Sequence, residues 1–141
     1  MPAPASVANG PPACPIYIVD DDVMFRDSVM FLLTTAGFDV VPPMSGGQFL
    51  DRVSQLAPGC VLVDLRMPDI DGFTLMALLG DRLASFPVIV LTGHGDLASA
   101  VRATRLGAMD FLEKPVDADE LVAAITAVAL RTGHAVRHHG Q

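Results

Sequence analysis

The amino-acid sequence predicts an α/β domain built on a five-stranded parallel β-sheet with helices on both faces. Five short apolar runs alternate along the chain with longer stretches of amphipathic helical pattern. The runs are almost continuously apolar, which is typical of strands that are buried on both faces of a parallel sheet. A length of 141 residues accommodates one such doubly wound domain with a full hydrophobic core.

Each predicted strand is short, rich in β-branched or other apolar residues, and bounded by turn-forming or acidic residues. The five strands cover residues 16–19, 38–41, 60–63, 87–91 and 108–112. The second strand stops before Pro42 and Pro43. Cys60 lies in the third strand and is predicted to be a small core residue. Because the two cysteines lack a metal-ligand spacing, a reducing compartment is expected.

The first three predicted helices are recognised by apolar spacing and by their end signals. After the first strand, apolar residues recur at spacings of three, four and seven, and Gly37 ends this helix. Its inward-facing residues are Phe25, Val29, Leu32 and Leu33. Ser45 with Gln48 resembles a capping box that opens the second helix, and Pro58 breaks it. A short apolar helix over about residues 73–79 follows the third strand.

The last two predicted helices begin at acidic caps. Asp96 caps the fourth helix and Gly107 ends it, while Asp117 with Glu120 opens the fifth. One face of the fourth helix carries Leu97, Ala100, Val101 and Thr104. The buried stripe of the fifth helix consists of Leu121, Ile125, Val128 and Ala129.

The domain is expected over residues 15–131, between a flexible Pro-rich leader at 1–14 and a polar tail at 132–141. The net charge of −7 argues against nucleic-acid binding, because duplex affinity needs a basic face. The longest uncharged apolar run, residues 121–130, is too short for a bilayer, which needs about 20 residues. With no signal-peptide pattern either, a cytoplasmic location is expected.

Polar residues stand at the carboxyl ends of the predicted strands, where open parallel sheets bind ligands. They are the acidic run 20–22, Asp64, Thr92 and Lys114, which is the only lysine of the chain. Two like charges about 4 Å apart repel by roughly 4 kcal/mol at an effective dielectric near 20, so clustered carboxylates favour a bound divalent cation. All-oxygen donors suit Mg²⁺, and Asp64 is then a candidate nucleophile for phosphoryl transfer. Lys114 and the cation would offset charge on the phosphoryl oxygens, and Thr92 would donate a hydrogen bond.

Simpler explanations are open for each of these residues. The acidic run could cap the first helix, although three acids in a row exceed what a cap needs. Asp64 could be a turn residue, Thr92 a strand terminus and Lys114 a solvated surface lysine. From composition alone, Phe111 is a core residue and His94 an exposed loop residue.

Five segments together resemble one known family. They are VDDD at 19–22, VDLRMP at 63–68, DG at 71–72, LTGHGD at 91–96 and FLEKP at 111–115. This set resembles the receiver domain of bacterial two-component response regulators, most closely the nitrogen-fixation type, over about residues 15–130. The resemblance implies a flavodoxin-like (βα)5 fold with the strand order 2-1-3-4-5.

The resemblance also implies a role for each matching residue. Asp64 would be the phosphoacceptor, and Asp20 and Asp21 would hold Mg²⁺ with the Asp64 carboxylate and the backbone carbonyl of Arg66. The remaining roles concern the phosphoryl group, which Thr92 and Lys114 would contact. Phe111 would be the switch aromatic that turns inward when Thr92 moves. Arg66 and His94 would tune the lifetime of the phosphoryl group. The Lys114–Pro115 peptide bond is expected to be cis.

The resemblance implies partners as well. A histidine kinase or a histidine phosphotransfer protein would donate to Asp64, and the chain would catalyse only its own phosphorylation and dephosphorylation. The phosphoryl group would reshape the face formed by the fourth helix, the fifth strand and the fifth helix, where a downstream protein or a second copy binds. Because little sequence follows residue 130, a stand-alone regulator without direct DNA binding is expected, with a receiver fragment of a longer transcriptional regulator as the alternative.

Two other function classes use a similar set of residues. A phosphatase of the haloacid-dehalogenase type also has an aspartate at a strand end, with a second acid two positions later. Arg66 occupies that position here, and the length leaves no room for a cap domain. A receiver-like module that is never phosphorylated usually lacks one of the site residues, and all of them are present.

Overall fold

The computed structural model describes residues 15–93 and 95–132. Within them, four strands form one parallel sheet: β1 (Ile16–Val19), β2 (Cys60–Val63), β3 (Val88–Thr92) and β4 (Asp110–Glu113). Their spatial order is β1-β2-β3-β4, and β1 pairs in register with β2 from Ile16 opposite Cys60 to Val19 opposite Val63. The predicted α/β class with a parallel sheet is therefore confirmed.

The predicted second strand is not formed as a strand. Its segment lies beside β1 and makes only two isolated parallel bridges, Val40 with Ile16 and Met44 with Val19. Backbone hydrogen bonds still join the two, including Val41 N to Ile16 O at 2.9 Å and Met44 N to Ile18 O at 3.0 Å. Pro42 and Pro43, which have no N–H to donate, lie between these bridges and interrupt the ladder. The segment nevertheless occupies the outer position of the flavodoxin-like order.

In the described part of the chain, five α-helices connect and cover the strands. They are α1 (Val23–Thr35), α2 (Gly46–Arg52), α3 (Gly72–Leu79), α4 (Leu97–Leu106) and α5 (Ala118–Thr132), with 3-10 turns at Val53–Gln55 and Gly80–Ala84. The side chains of Asp22, Ser45, Asp71 and Asp96 each accept the backbone amide three residues later, which satisfies an unpaired helix N–H. Both halves of the capping box predicted at Ser45 and Gln48 are present. As predicted, α4 ends at Gly107, which adopts φ 111°, a left-handed conformation suited to glycine.

The core consists of two apolar clusters, one on each face of the sheet. Side chains alternate between them along β1, so that Tyr17 and Val19 pack with α2, α3 and α4, whereas Ile16 and Ile18 pack with α1 and α5. The predicted stripe of α5, Leu121, Ile125, Val128 and Ala129, is buried in the second cluster. Cys60 is buried as well, as predicted.

The face of α4 that was identified from the sequence, which includes Leu97 and Val101, is largely exposed. Leu97 is 80% and Val101 41% exposed, and the buried residue of this helix is Ala103. Among the helices in the described part of the chain, none has the length and apolar character needed to span a bilayer.

Candidate functional site

Buried polar side chains among the described residues occur at one place, the carboxyl-end edge of the sheet. They are Asp20, directly after β1, Asp64, directly after β2, and Thr92, the last residue of β3, at 2%, 7% and 0% exposure. Parallel strands bring their carboxyl ends to the same edge, so this position follows from the topology. The structure thus brings together three of the residues predicted from sequence.

Lys114 joins this cluster from the position directly after β4. Its Nζ donates to Asp20 Oδ2 at 2.8 Å and to Asp64 Oδ2 at 3.2 Å. Its backbone amide donates to the carbonyl of Thr92 at 2.9 Å, which continues the pairing of β4 with β3 past the strand end. The Lys114–Pro115 peptide bond is cis, as expected. One ammonium therefore bridges two carboxylates that come from different strands.

Burial and charge act in opposite directions on these groups. Burial raises the pKa of Asp20 above its ordinary value, and the hydrogen bond from Lys114 only partly opposes this. For Lys114, burial lowers the pKa, but the hydrogen bond and charge of Asp20, followed by the charge of Asp64, outweigh it and raise the pKa. The carboxylates of Asp20 and Asp64 consequently share a single lysine.

Asp21 completes a group that fits a metal ion. One carboxylate oxygen each from Asp20, Asp21 and Asp64 lies within 4.8 Å of the others, and Asp21 is exposed while the other two are buried. An all-oxygen donor set that is open to solvent on one side suits Mg²⁺, which keeps several of its waters. The residues that are present therefore fit the cation expected from the sequence.

The loop after Asp64 is held tightly against the site. The Arg66 amide donates to Asp64 Oδ1 at 3.3 Å, so both carboxylate oxygens of Asp64 have partners. Gly72 closes the loop by donating to the carbonyl of Leu65 at 2.9 Å. A Cβ at Gly72 would lie 2.8 Å from the carbonyl oxygen of Asp64, so only glycine allows this close approach. The Arg66 side chain is exposed.

Phe111 lies outside the acidic cluster, against the loop that follows Thr92. Its ring is partly buried, and a Cβ at Gly95 would come within 3.1 Å of its Cε1 atom. An open groove of about 510 Å³ runs past this ring between α4, β4 and α5, and it is lined in part by Leu97 and Glu120. His94, predicted to tune phosphoryl lifetime, lies outside the described residues, as do the leader at 1–14 and residues 133–141 of the tail.

Sequence reasoning missed two contacts from the start of α1. The ring of Phe25, predicted only as an inward-facing apolar residue, lies with its centroid 3.9 Å from Lys114 Nζ. Arg26 donates through Nη1 to the backbone carbonyl of Asp20 at 3.1 Å. Both residues sit about one helical turn after the acidic run, at the same edge of the sheet. That proximity is the sequence signal that would have indicated them.

The chain is similar in sequence and fold to several known proteins. Residues 16–126 match the family model of the response regulator receiver domain. The chain is similar to the transcriptional regulatory protein FixJ of Bradyrhizobium diazoefficiens, with 47% identity over 110 residues that cover 78% of this chain and 54% of FixJ. It is 41% identical over 109 residues to the DNA-binding transcriptional regulator NtrC of Klebsiella pneumoniae, covering 77% of this chain and 23% of NtrC.

A solved structure of full-length FixJ from B. japonicum is similar in fold. It superposes with a TM-score of 0.78 at 43% identity, and the match covers 84% of this chain and 59% of that one. The chain spans about half the length of the FixJ relatives that it matches.

Proposed function

The chain belongs to the response-regulator receiver family, and from this premise we propose that it accepts a phosphoryl group on Asp64 from a phosphohistidine of a partner protein. Receivers are phosphoacceptor switches of two-component systems and interact with histidine kinases. A histidine kinase or a histidine phosphotransfer protein is therefore the proposed donor. The observation that carries the proposal is the Lys114 ammonium bridging the carboxylates of Asp20 and Asp64 beside the buried Thr92.

The proposed step is a displacement at phosphorus. A carboxylate oxygen of Asp64 forms the new P–O bond while the P–N bond to the donor imidazole breaks, and the electron pair leaves with the imidazole. The Arg66 amide and Lys114 orient the Asp64 carboxylate from both of its oxygens. As the phosphoryl group arrives, the Lys114 ammonium exchanges its contact with Asp64 for one with a phosphoryl oxygen.

The proposed cofactor is Mg²⁺, held by the side chains of Asp20, Asp21 and Asp64 and by the backbone carbonyl of Arg66. When bound, the cation supplies positive charge that neutralises phosphoryl oxygens beside these carboxylates. Asp20 and Asp64 are preorganised for this, because Lys114 already holds one oxygen of each. Asp21 is exposed and leaves one side open for solvent and for the incoming donor.

The proposed output is a change in the face formed by α4, β4 and α5. Thr92 would contact the phosphoryl group. Phe111 would move when Thr92 moves, since its ring packs beside the loop that follows Thr92. Leu97 and Val101 are large apolar residues exposed on this face. A downstream protein or a second copy of the chain is the proposed partner there, and Arg66 and His94 are proposed to tune how long the phosphoryl group survives.

The relatives favour one version of this function over another. FixJ and NtrC are longer transcriptional regulators, and NtrC is by name a DNA-binding one. This supports the alternative, a receiver belonging to a longer transcriptional regulator, better than a stand-alone regulator. The sequence-based expectation that the protein does not bind nucleic acid directly has no support from these relatives.

The proposal is tested by incubating the protein with Mg²⁺ and acetyl phosphate, and separately with a phosphorylated kinase, and by measuring intact mass. We expect a gain of one phosphoryl group that disappears in Asp64→Asn and on removal of Mg²⁺. The control Asp51→Asn, an exposed acid on α2, should label like the wild type.

Two results would contradict the proposal. Absence of labelling from every donor would exclude a phosphoacceptor, and undiminished labelling of Asp64→Asn would place the phosphoryl group elsewhere. Many turnovers on small phosphate esters would instead favour the phosphatase hypothesis, which the position of Arg66 two residues after Asp64 argues against.

A further inference from the structure

Lys114 has an aromatic neighbour in addition to its two carboxylates. The centroid of the Phe25 ring lies 3.9 Å from Nζ, within the distance at which an ammonium is attracted to the electron-rich face of a ring. The Lys114 side chain is 15% exposed, and Phe25 is partly buried. Because the pair is largely shielded from water, the ring competes effectively with hydration of the ammonium.

The ring itself is held by the start of α1. The Phe25 amide donates to Asp22 Oδ1 at 3.2 Å in the N-cap of that helix. On the apolar side, Phe25 packs against the cluster that contains Val29 and Leu33. The helix cap and the core therefore both hold the ring in place.

The three contacts of Lys114 differ in what happens to them during the proposed reaction. Its contacts with Asp20 and Asp64 are made to carboxylate oxygens that a cation or a phosphoryl group would also engage. The contact with Phe25 involves no such group, so a change of partner at those oxygens does not by itself remove it. A flexible four-carbon side chain loses conformational entropy when its ammonium is held in place. A fixed ring face offsets part of that cost while the ammonium moves between anions.

We propose that Phe25 is a positioning residue that holds the Lys114 ammonium at the edge of the site while the ammonium moves from Asp64 to the phosphoryl group. The inference deepens the proposed function and rests on it. It assigns to an apolar residue of α1 a part in the phosphoryl-transfer step, through Lys114 and without contact to the phosphoryl group.

The experiment uses the fact that Lys114 is the only lysine of the chain. Protein labelled with ¹³C-lysine gives a single lysine spin system, and a ring face 3.9 Å from Nζ shifts the ε-methylene protons upfield. We expect this upfield shift in the wild type and in Phe25→Tyr, and its loss in Phe25→Leu and Phe25→Met. Two apolar replacements are used so that, if one variant fails to fold, the other still tests the inference.

The second readout is the rate of phosphorylation by acetyl phosphate with Mg²⁺. We expect Phe25→Leu and Phe25→Met to be slowed about 3–10-fold, the range of an exposed to partly desolvated cation–π contact, with Phe25→Tyr restoring the rate. Phe31→Leu is the matched control, because Phe31 lies on the same helix and is 75% exposed. It should change neither the lysine resonance nor the rate.

The outcomes separate this inference from the function on which it rests. A wild-type lysine resonance without the upfield shift, or folded Phe25→Leu and Phe25→Met that react at the wild-type rate, would overturn the positioning role while leaving phosphorylation intact. Failure of the wild type to be phosphorylated would overturn the proposed function and the positioning role together, and the upfield shift would then report only a structural contact.

Discussion

Burial stabilises the interior of the sheet but destabilises the acid at its carboxyl-end edge. Along β1, four apolar residues from Ile16 to Val19 are at most 2% exposed, and the next residue, Asp20, is also 2% exposed although it is an acid. Burial of the first four lowers the free energy of the fold. Burial of Asp20 raises the free energy of the fold, and the raised pKa of its carboxyl has the same cause. The favourable burial of the interior thus offsets the unfavourable burial of an acid at the edge, as is common at functional sites.

The largest effect should come from the interior. Leu62 lies at the middle of β2, 1% exposed and paired in register with Ile18 and Ile89. We expect Leu62→Ala to lower the free energy of unfolding by about 2–5 kcal/mol, since it removes buried methyl groups and leaves a cavity. Urea denaturation measures this.

Leu130 provides the matched control for this change, because it is 77% exposed on α5. Leu130→Ala should alter the free energy of unfolding by no more than about 0.5 kcal/mol. Similar losses in both variants would mean that burial in the sheet interior is not the dominant stabilising contribution.

The interior is also the part of the molecule that the sequence predicted best. Apolar runs, caps and glycine stops are local signals, and the strands, the capping box at Ser45 and the end of α4 at Gly107 agree with them. The segment predicted as a strand at 38–41 departed from the prediction because Pro42 and Pro43, which follow it directly, interrupt its pairing with β1. These residues permit bridges but no continuous ladder.

The edge was predictable only in part. Strand ends place Asp20, Asp64, Thr92 and Lys114 together once the sheet is known to be parallel. The exposure of Leu97 and Val101 on α4 was not predictable, because an apolar face does not reveal whether it packs inward or awaits a partner. The position of Phe25 one helical turn after the acidic run places it near this edge, but its apolar spacing equally fits a plain core residue, so the contact with Lys114 does not follow from the sequence alone.

The next effect concerns the edge and a bound cation. We expect Mg²⁺ at a hundred times its Kd to stabilise the wild type by about 2.7 kcal/mol, because the cation binds only the folded site. Thermal unfolding with and without Mg²⁺ measures this. Asp20→Asn should lose most of the shift and Asp51→Asn should keep it. An undiminished shift in Asp20→Asn would exclude Asp20 as a ligand.

A smaller effect distinguishes a capping acid from a site acid at the same edge. Asp71 accepts the Thr74 amide at 2.7 Å and caps α3, and it lies outside the group that fits a metal. We expect Asp71→Ala to cost about 1 kcal/mol of unfolding free energy while keeping the Mg²⁺ shift. Asp71→Ser, which can still cap, should recover most of the loss. A lost Mg²⁺ shift in Asp71→Ala would extend the metal site into this loop.

The smallest effect should have the opposite sign. In the absence of divalent cations we expect Asp20→Asn to stabilise the protein at pH 7 by about 0.5 kcal/mol, the lower end of stabilising charge changes. The gain comes from removing a buried charge next to Asp64. It is limited because the variant loses an ion pair with Lys114, although the oxygen of the introduced side-chain amide can still accept the backbone N–H of Asp22.

The pH dependence of this gain identifies its cause. Because burial raises the pKa of Asp20 in the folded protein, the folded state binds more protons than the unfolded chain between the ordinary value of 3.8 and the raised pKa. The stability of the wild type therefore falls as pH rises through that window, and the advantage of Asp20→Asn over the wild type should grow there and be constant above it.

The raised pKa of Lys114 contributes stability that is present below 10.5 and lost only as pH rises through the folded value, so it leaves this acidic window unchanged. Denaturation in urea from about pH 3.5 to 8 measures the difference, and a constant difference across that range would show that the charge of Asp20 is not what makes the edge unfavourable.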